Sequence, residues 1–330
     1  MAGLRTVVTE LATGLGMLGL PTLDEALAAR PAAMVSMSPA EWDRLAGLHE
    51  GGAFAADFAA AWDNGRAFLE ARDGLRGRRP LTVEWKGSHK APGDEAAPVD
   101  LRIDHVYLVS GKYESDILHN AAPARLFDKL LTNSPGGRGG NWFAAVAPDE
   151  HQALYQTVRT PGLPALVDDL TAAEQRRLGT ELRAWPTVAA QEAYRALVAA
   201  VAAESAARWR EGLKQVRSQQ ELMLWRLLRI GSAPYFVLGT RKAAGLRIRV
   251  ATPWDWRQRY ALRSFEVAAQ PGGQPRVGWR AVVRDRHSGD DAEVRGHVEV
   301  RWAHGRFSTA EAKVYLDTPH NDVPGYFPLL

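Results

Sequence analysis

Apolar residues recur along this chain with two different periods. Up to about residue 75, and again from 171 to 230, they return every three or four positions, the spacing of helices that bury one side. From Pro234 onward they alternate in twos, the spacing of half-buried strands. In "SPAEWDRLAGLHE", Ser38 stands at an N-cap, Pro39 at the first helical position, and Glu41 completes a capping box. In "FAADFAAAWDNGRAFLEARDGL", Phe54, Phe58 and Trp62 share an apolar side, which Phe68 and Leu69 resume after a break at Asn64-Gly65.

Between the two helical regions the elements are short. "PLTVEWKG" reads as a strand, and the polar loop "SHKAPGDEAAP" leads into the strand-like "APVDLRIDHVYLVSGKYESDILHN". There follow a short helix "PARLFDKLLTN", with His119 and Asn120 at its turn, a glycine loop "SPGGRGG" and a further strand "NWFAAVA". The order across residues 53–147 is helix, three strands, helix, strand. The segments "YFVLGT", "LRIRVAT", "YALRSFEVAA", "RVGWRAVVRD", "EVRGHVEVRWAHGRF" and "EAKVYLDT" read as successive strands of an antiparallel sheet. The expected organisation is an α/β (α+β) domain over 1–165, a helical connector over 166–232 and a basic β-rich domain over 233–330.

Composition narrows the chemistry. With no cysteine, disulfides, thiolate nucleophiles and Cys-ligated metals are excluded. The nine histidines include no pair with helix-face ligand spacing beside a glutamate, which argues against zinc. The opening "MAGLRTVVTELATGLGMLGLP" carries Glu10 and reads as a helix start rather than a signal peptide. No run reaches the roughly 18 apolar residues that span a bilayer, so a cytoplasmic protein without a membrane partner is expected. The net charge is only +3. Basic residues are nevertheless clustered. Between Trp225 and Arg263 stand Arg226, Arg229, Arg241, Lys242, Arg247, Arg249, Arg257, Arg259 and Arg263, against the single acid Asp255. Such a bias suits phosphate attraction, and Trp254 and Trp256 could stack on bases. The competing reading is a solvated strand face with both tryptophans in the core.

A core strand wants neither an acid nor a lysine, yet the run from Ala97 to Asn120 carries Asp100 near its start and Lys112 near its end. A turn near Arg102–His105 would bring the two together, with Ser110 and Lys112 on one face and Tyr107, Val109, Gly111 and Tyr113 on the other. A carboxylate that holds a divalent cation, beside a lysine that orients water and neutralises charge, is the equipment of phosphodiester hydrolysis. Here the sequence resembles the restriction-endonuclease-like PD-(D/E)xK superfamily. "PVD", ending at Asp100, matches the first half of its signature, and "SGK", Ser110-Gly111-Lys112, stands where acidic-x-Lys is expected. The resemblance covers roughly residues 53–147 and implies an αβββαβ core with Mg²⁺ or Mn²⁺ as cofactor. It also implies Asp100 as metal ligand and Lys112 as the residue acting on water. Ser110 departs from the pattern, since it brings no charge to a cation. Either Glu70, Glu84 or Glu114 completes the site, or the site has lost its metal. A literal acidic-x-Lys triplet, Glu311-Ala312-Lys313, lies further on, without the helix–strand lead-in.

The resulting expectation is a Mg²⁺-dependent endonuclease acting on DNA, in the restriction or defence context usual for such enzymes. RNA as substrate, and a homodimer or partner subunit, are left open. The alternatives are a non-catalytic nucleic-acid binder on a decayed nuclease fold and a scaffold subunit using its tryptophan-rich sheet.

Overall fold

A computed structural model describes residues 3–87, 99–132, 141–214, 217–242 and 244–330. The loops expected at 88–98 and 134–140 lie outside the described residues. The chain is mixed α/β and divides into two compact units, neither of them continuous in sequence.

Unit 1 comprises Met1–Asp116, Arg229–Tyr260 and Pro319–Leu330. Its sheet contains β1 (Met34–Val35), β2 (Val83–Trp85), β3 (Leu101–Ile103), β4 (Tyr107–Tyr113), β6 (Tyr235–Arg241), β7 (Ala244–Val250) and β12 (Tyr326–Pro328), in the order β1-β2-β3-β4-β6-β7-β12. β2, β3 and β4 form an antiparallel meander, and β6 joins β4 in parallel. Helices α1 (Leu4–Gly16) and α4 (Ala55–Glu70) bury Val8, Leu11, Leu15, Phe58 and Phe68 in one core with Val83, Leu101, Ile103, Val109 and Phe236 from the sheet.

The expected break at Asn64-Gly65 is instead a point of helix contact, because α4 runs straight through it. A Cβ on Gly65 would lie 2.1 Å from Thr13 O, and one on Gly16 would lie 2.4 Å from Trp62 O. Glycine is required at both positions because the two backbones touch. Gly65→Ala therefore forces α1 off α4, and we expect a loss of about 2–3 kcal/mol in denaturant unfolding. Unchanged stability would show that this crossing does not fix α1.

Unit 2 comprises Ile117–Leu228 and Ala261–Thr318. Its sheet has the order β5-β11-β10-β9-β8, built from β5 (Ile117–Ala121), β8 (Tyr260–Gln270), β9 (Arg276–Asp285), β10 (Asp291–Trp302) and β11 (Ala310–Leu316). The segment expected to be a connector is core here. Helix α9 (Val188–Lys214) buries Leu197, Val201 and Trp209 completely.

Further expectations are corrected. The C-terminal strands do not form one domain, since β6, β7 and β12 complete the sheet of unit 1 and β8–β11 build that of unit 2. Period-two alternation identifies a strand but not its partner, and a parallel partner is reached only over a long crossover. "NWFAAVA" is a helix, α6 (Trp142–Val146), started by an Asn141 side chain that accepts the Phe143 N–H. The short helix after His119 and Asn120 is α5 (Pro123–Phe127), and it lies in unit 2. His119 and Asn120 belong to β5, paired with Val314 and Lys313, so they do not cap that helix.

Candidate active site

The β3–β4 pairing decides where Asp100 goes. Leu101 sits opposite Val109, so Asp100, one residue earlier, meets Ser110. Its backbone is held on both sides, donating to Val109 O at 3.0 Å and accepting from Lys86 N at 2.9 Å. Its carboxylate Oδ2 accepts from the Gly111 N–H at 2.6 Å and the Ser110 hydroxyl at 3.0 Å. Ser110 also shares a hydrogen bond with Tyr235 of β6. Ser110 thus orients Asp100.

The second carboxylate comes from α1. Glu10 is hydrogen-bonded to Asp100, and its Oε2 accepts from Trp85 Nε1 at 2.7 Å. Burial, and then the Asp100 charge, push the Glu10 carboxyl up to about 8. With its carboxyl raised above neutral pH, Glu10 holds a proton that a cation would replace.

Lys112 completes the group. Among the described residues, the charges acting on it are Asp100, Glu10 and Arg229. Burial lowers its pKa; Asp100 and Glu10 oppose that fall, while Arg229 adds to it. β6 approaches Lys112 closely, because Gly239 opposite it has no room for a side chain: a Cβ there would lie 1.9 Å from Lys112 O.

The structure brings Asp100, Ser110 and Lys112 together and leaves the other expected ligands elsewhere. Glu84 is bound by Lys86 Nζ at 3.1 Å and Arg102 Nε at 2.7 Å. Burial works to raise its pKa, but those two bonds outweigh it and the net shift is downward. Its charge is already neutralised. Glu70 is exposed in the last turn of α4, and Glu114 accepts the backbone N–H of Lys242 at 2.9 Å. The literal triplet closes on itself, with Lys313 Nζ 3.3 Å from Glu311 Oε1. Glu10 was missed because it stands about ninety residues upstream of Asp100. The one signal for it was a lone acid in a helical stretch whose only other charge is Arg5.

Among the described residues there is no group of three or more His, Asp or Glu side chains placed to hold a metal. The Glu10–Asp100 pair nonetheless fits Mg²⁺, which takes one or two carboxylates and keeps several waters.

The expected nucleic-acid contacts divide. Trp256 is fully buried, its Nε1 donating to Pro324 O, so it packs the core and cannot stack on a base. Trp254 is 70% exposed at the start of α11 (Pro253–Arg259), which also carries Arg257. Arg247 and Arg249 do alternate on β7, but Arg247 Nε donates to Asn64 Oδ1 at 2.9 Å and Arg249 lies between Asp73 and Asp255 over the Phe327 ring. Arg241 pairs with Asp116 at 2.8 Å. Lys242 turns the β6–β7 hairpin with a left-handed backbone. These arginines first hold unit 1 together, which a count of charges along the sequence cannot reveal.

No family model, curated protein or solved structure matches this chain. Among the described residues, no helix is long and apolar enough to cross a membrane.

Proposed function

We propose that this chain hydrolyses phosphodiester bonds in DNA, with Mg²⁺ or Mn²⁺ held by Glu10 and Asp100 and with Lys112 beside them. One observation carries the reading: two hydrogen-bonded carboxylates from separate elements, with Lys112 in electrostatic contact with both. On this reading α4 and strands β2–β4 of unit 1 stand for the first part of the αβββαβ core of the restriction-endonuclease-like nucleases, with β6, parallel to β4, in the place of its last strand. The acid missing at position 110, which favours a non-catalytic binder, is supplied from α1 by Glu10.

A divalent cation supplies charge to a phosphate oxygen and acidifies water. The protein does the rest. Gly111 N–H and the Ser110 hydroxyl fix one oxygen of Asp100, so it needs no reorganisation when a ligand arrives. Glu10 gives up its proton as the pair becomes a dianion. Lys112, its pKa depressed by burial, orients the attacking water at Nζ and neutralises charge developing on the phosphate.

The test is nicking of supercoiled plasmid by the full chain with Mg²⁺ or Mn²⁺, against an EDTA control. Cation-dependent conversion to open circle is expected. Cleavage that persists in EDTA, or none of DNA or RNA with either ion, overturns the reading. Trp254 is the exposed ring expected to contact DNA. Trp254→Ala should weaken DNA binding by on the order of 1–3 kcal/mol with little change in thermal melting. Equal affinity in the variant would remove Trp254 from the interface.

A further inference from the structure

Unit 2 contains a divided cleft that the phosphodiesterase reading does not use. The larger part, about 530 Å³, lies between Tyr194 and Arg195 on α9 and the turn at Gly273 that joins β8 to β9. Its volume falls in the roughly 300–1,000 Å³ range of small-molecule sites. The floor includes the small side chains of Ala199 and Ala202, which leave room for a flat ring. The smaller part, about 260 Å³, shares the Trp185 and Tyr194 wall and is bounded by Trp302 and Arg306. Trp185 and Tyr194 lie 4.8 Å apart between ring centroids, and Tyr194 stacks with Trp302 at 6.2 Å.

A cluster of aromatic rings ordinarily attracts a cation. Here that place is taken, because the Arg306 guanidinium lies 3.7 Å over the Trp185 ring. Arg306 donates from Nη2 to Arg183 O at 3.1 Å, while its buried Nη1 has no acceptor among the described residues. Glu299, the acid that acts on Tyr194, is neutralised by Arg276 and Arg301. A ligand that complements the cleft therefore has a planar apolar face at one end and an anion at the other. We propose that the cleft binds a nucleotide, its base in the larger cavity against Tyr194 and its phosphate in the smaller one at Arg306. The inference concerns unit 2 alone and stands whether or not unit 1 cleaves DNA.

The test is calorimetric titration of the full chain, in EDTA, with deoxyadenosine monophosphate, deoxyadenosine, inorganic phosphate and choline. The monophosphate should bind more tightly than the nucleoside or phosphate, and choline should not bind. Arg306→Gln should weaken the monophosphate roughly tenfold while leaving the nucleoside unchanged, since it removes only the charged donor. Trp185→Ala should weaken nucleoside and monophosphate alike, by about tenfold, and Trp185→Phe should restore most of the loss. Circular dichroism and melting establish that each variant is folded. Competition by a single-stranded oligonucleotide would identify the occupant as a base within a strand, and its failure would identify a free nucleotide. Preference for choline, no binding of the monophosphate, or an unchanged monophosphate-to-nucleoside ratio in Arg306→Gln would overturn the proposal.

Discussion

Asp100→Ala and Lys112→Ala should each lower cation-dependent DNA cleavage by roughly 10²–10³-fold or more, while DNA affinity and folding stay near the parent's. The two losses should differ in kind. Asp100 anchors the carboxylate pair, so its variant should lose cation binding together with turnover. Lys112 holds no cation, so its variant should bind Mn²⁺ as before and fail only in cleavage. Ser110→Ala should fall between the parent and these two variants, because the Gly111 N–H still holds Asp100 when the hydroxyl bond is gone. The measurement is the nicking rate at saturating cation, paired with a binding isotherm. Parent-like nicking by either Asp100→Ala or Lys112→Ala would remove that residue from the site.

Glu10→Gln should abolish cleavage and at the same time stabilise the protein. The carboxyl, raised from 4.5 to about 8, must take up a proton on folding. At neutral pH this requirement costs on the order of 3 kcal/mol relative to an unfolded chain in which Glu10 is ionised. The sign is that of a raised pKa: the contribution is fully favourable below about pH 4.5 and is lost as pH rises through about 8. Glutamine carries no such penalty, and its amide can still donate to Asp100 and accept from Trp85 Nε1. Without cation, Glu10→Gln should melt several degrees above the parent at pH 8, and the gap should close towards pH 4.5. A variant less stable than the parent at pH 8 would show that the pair is not strained. A destabilising pair of carboxylates is expected of a functional site.

The sequence made some of this readable and hid the rest for identifiable reasons. A turn was expected near Arg102–His105; it falls at Asp104–Val106, and the pairing it sets places Asp100 against Ser110. The capping box of Ser38 and Glu41 is present as read. The strands after Pro234 were legible as strands, but their division between two sheets was not, because pairing is a long-range property. Glu10 was hidden for the same reason: its approach to Asp100 depends on the backbone contact of Gly16 with α4, which no local pattern encodes. Trp254 and Trp256 are two residues apart in a basic run, yet the capped helix α11 turns one outward and the other into the core. Charge counts could not show that Arg247 and Arg249 are already engaged, because their partners Asn64 and Asp73 are distant in sequence.

The most direct measurement is calorimetric titration of Mn²⁺ into the full chain at pH 6.5, in buffers of different ionisation enthalpy. The Glu10–Asp100 pair should bind one ion and release close to one proton, with affinity rising up to tenfold per pH unit until it levels off near pH 8. Glu10→Gln and Asp100→Asn should each remove that binding and its proton release. Equal Mn²⁺ binding by the parent and both variants, or binding by the parent with no proton released, would contradict the assignment of Glu10 and Asp100 as the cation site.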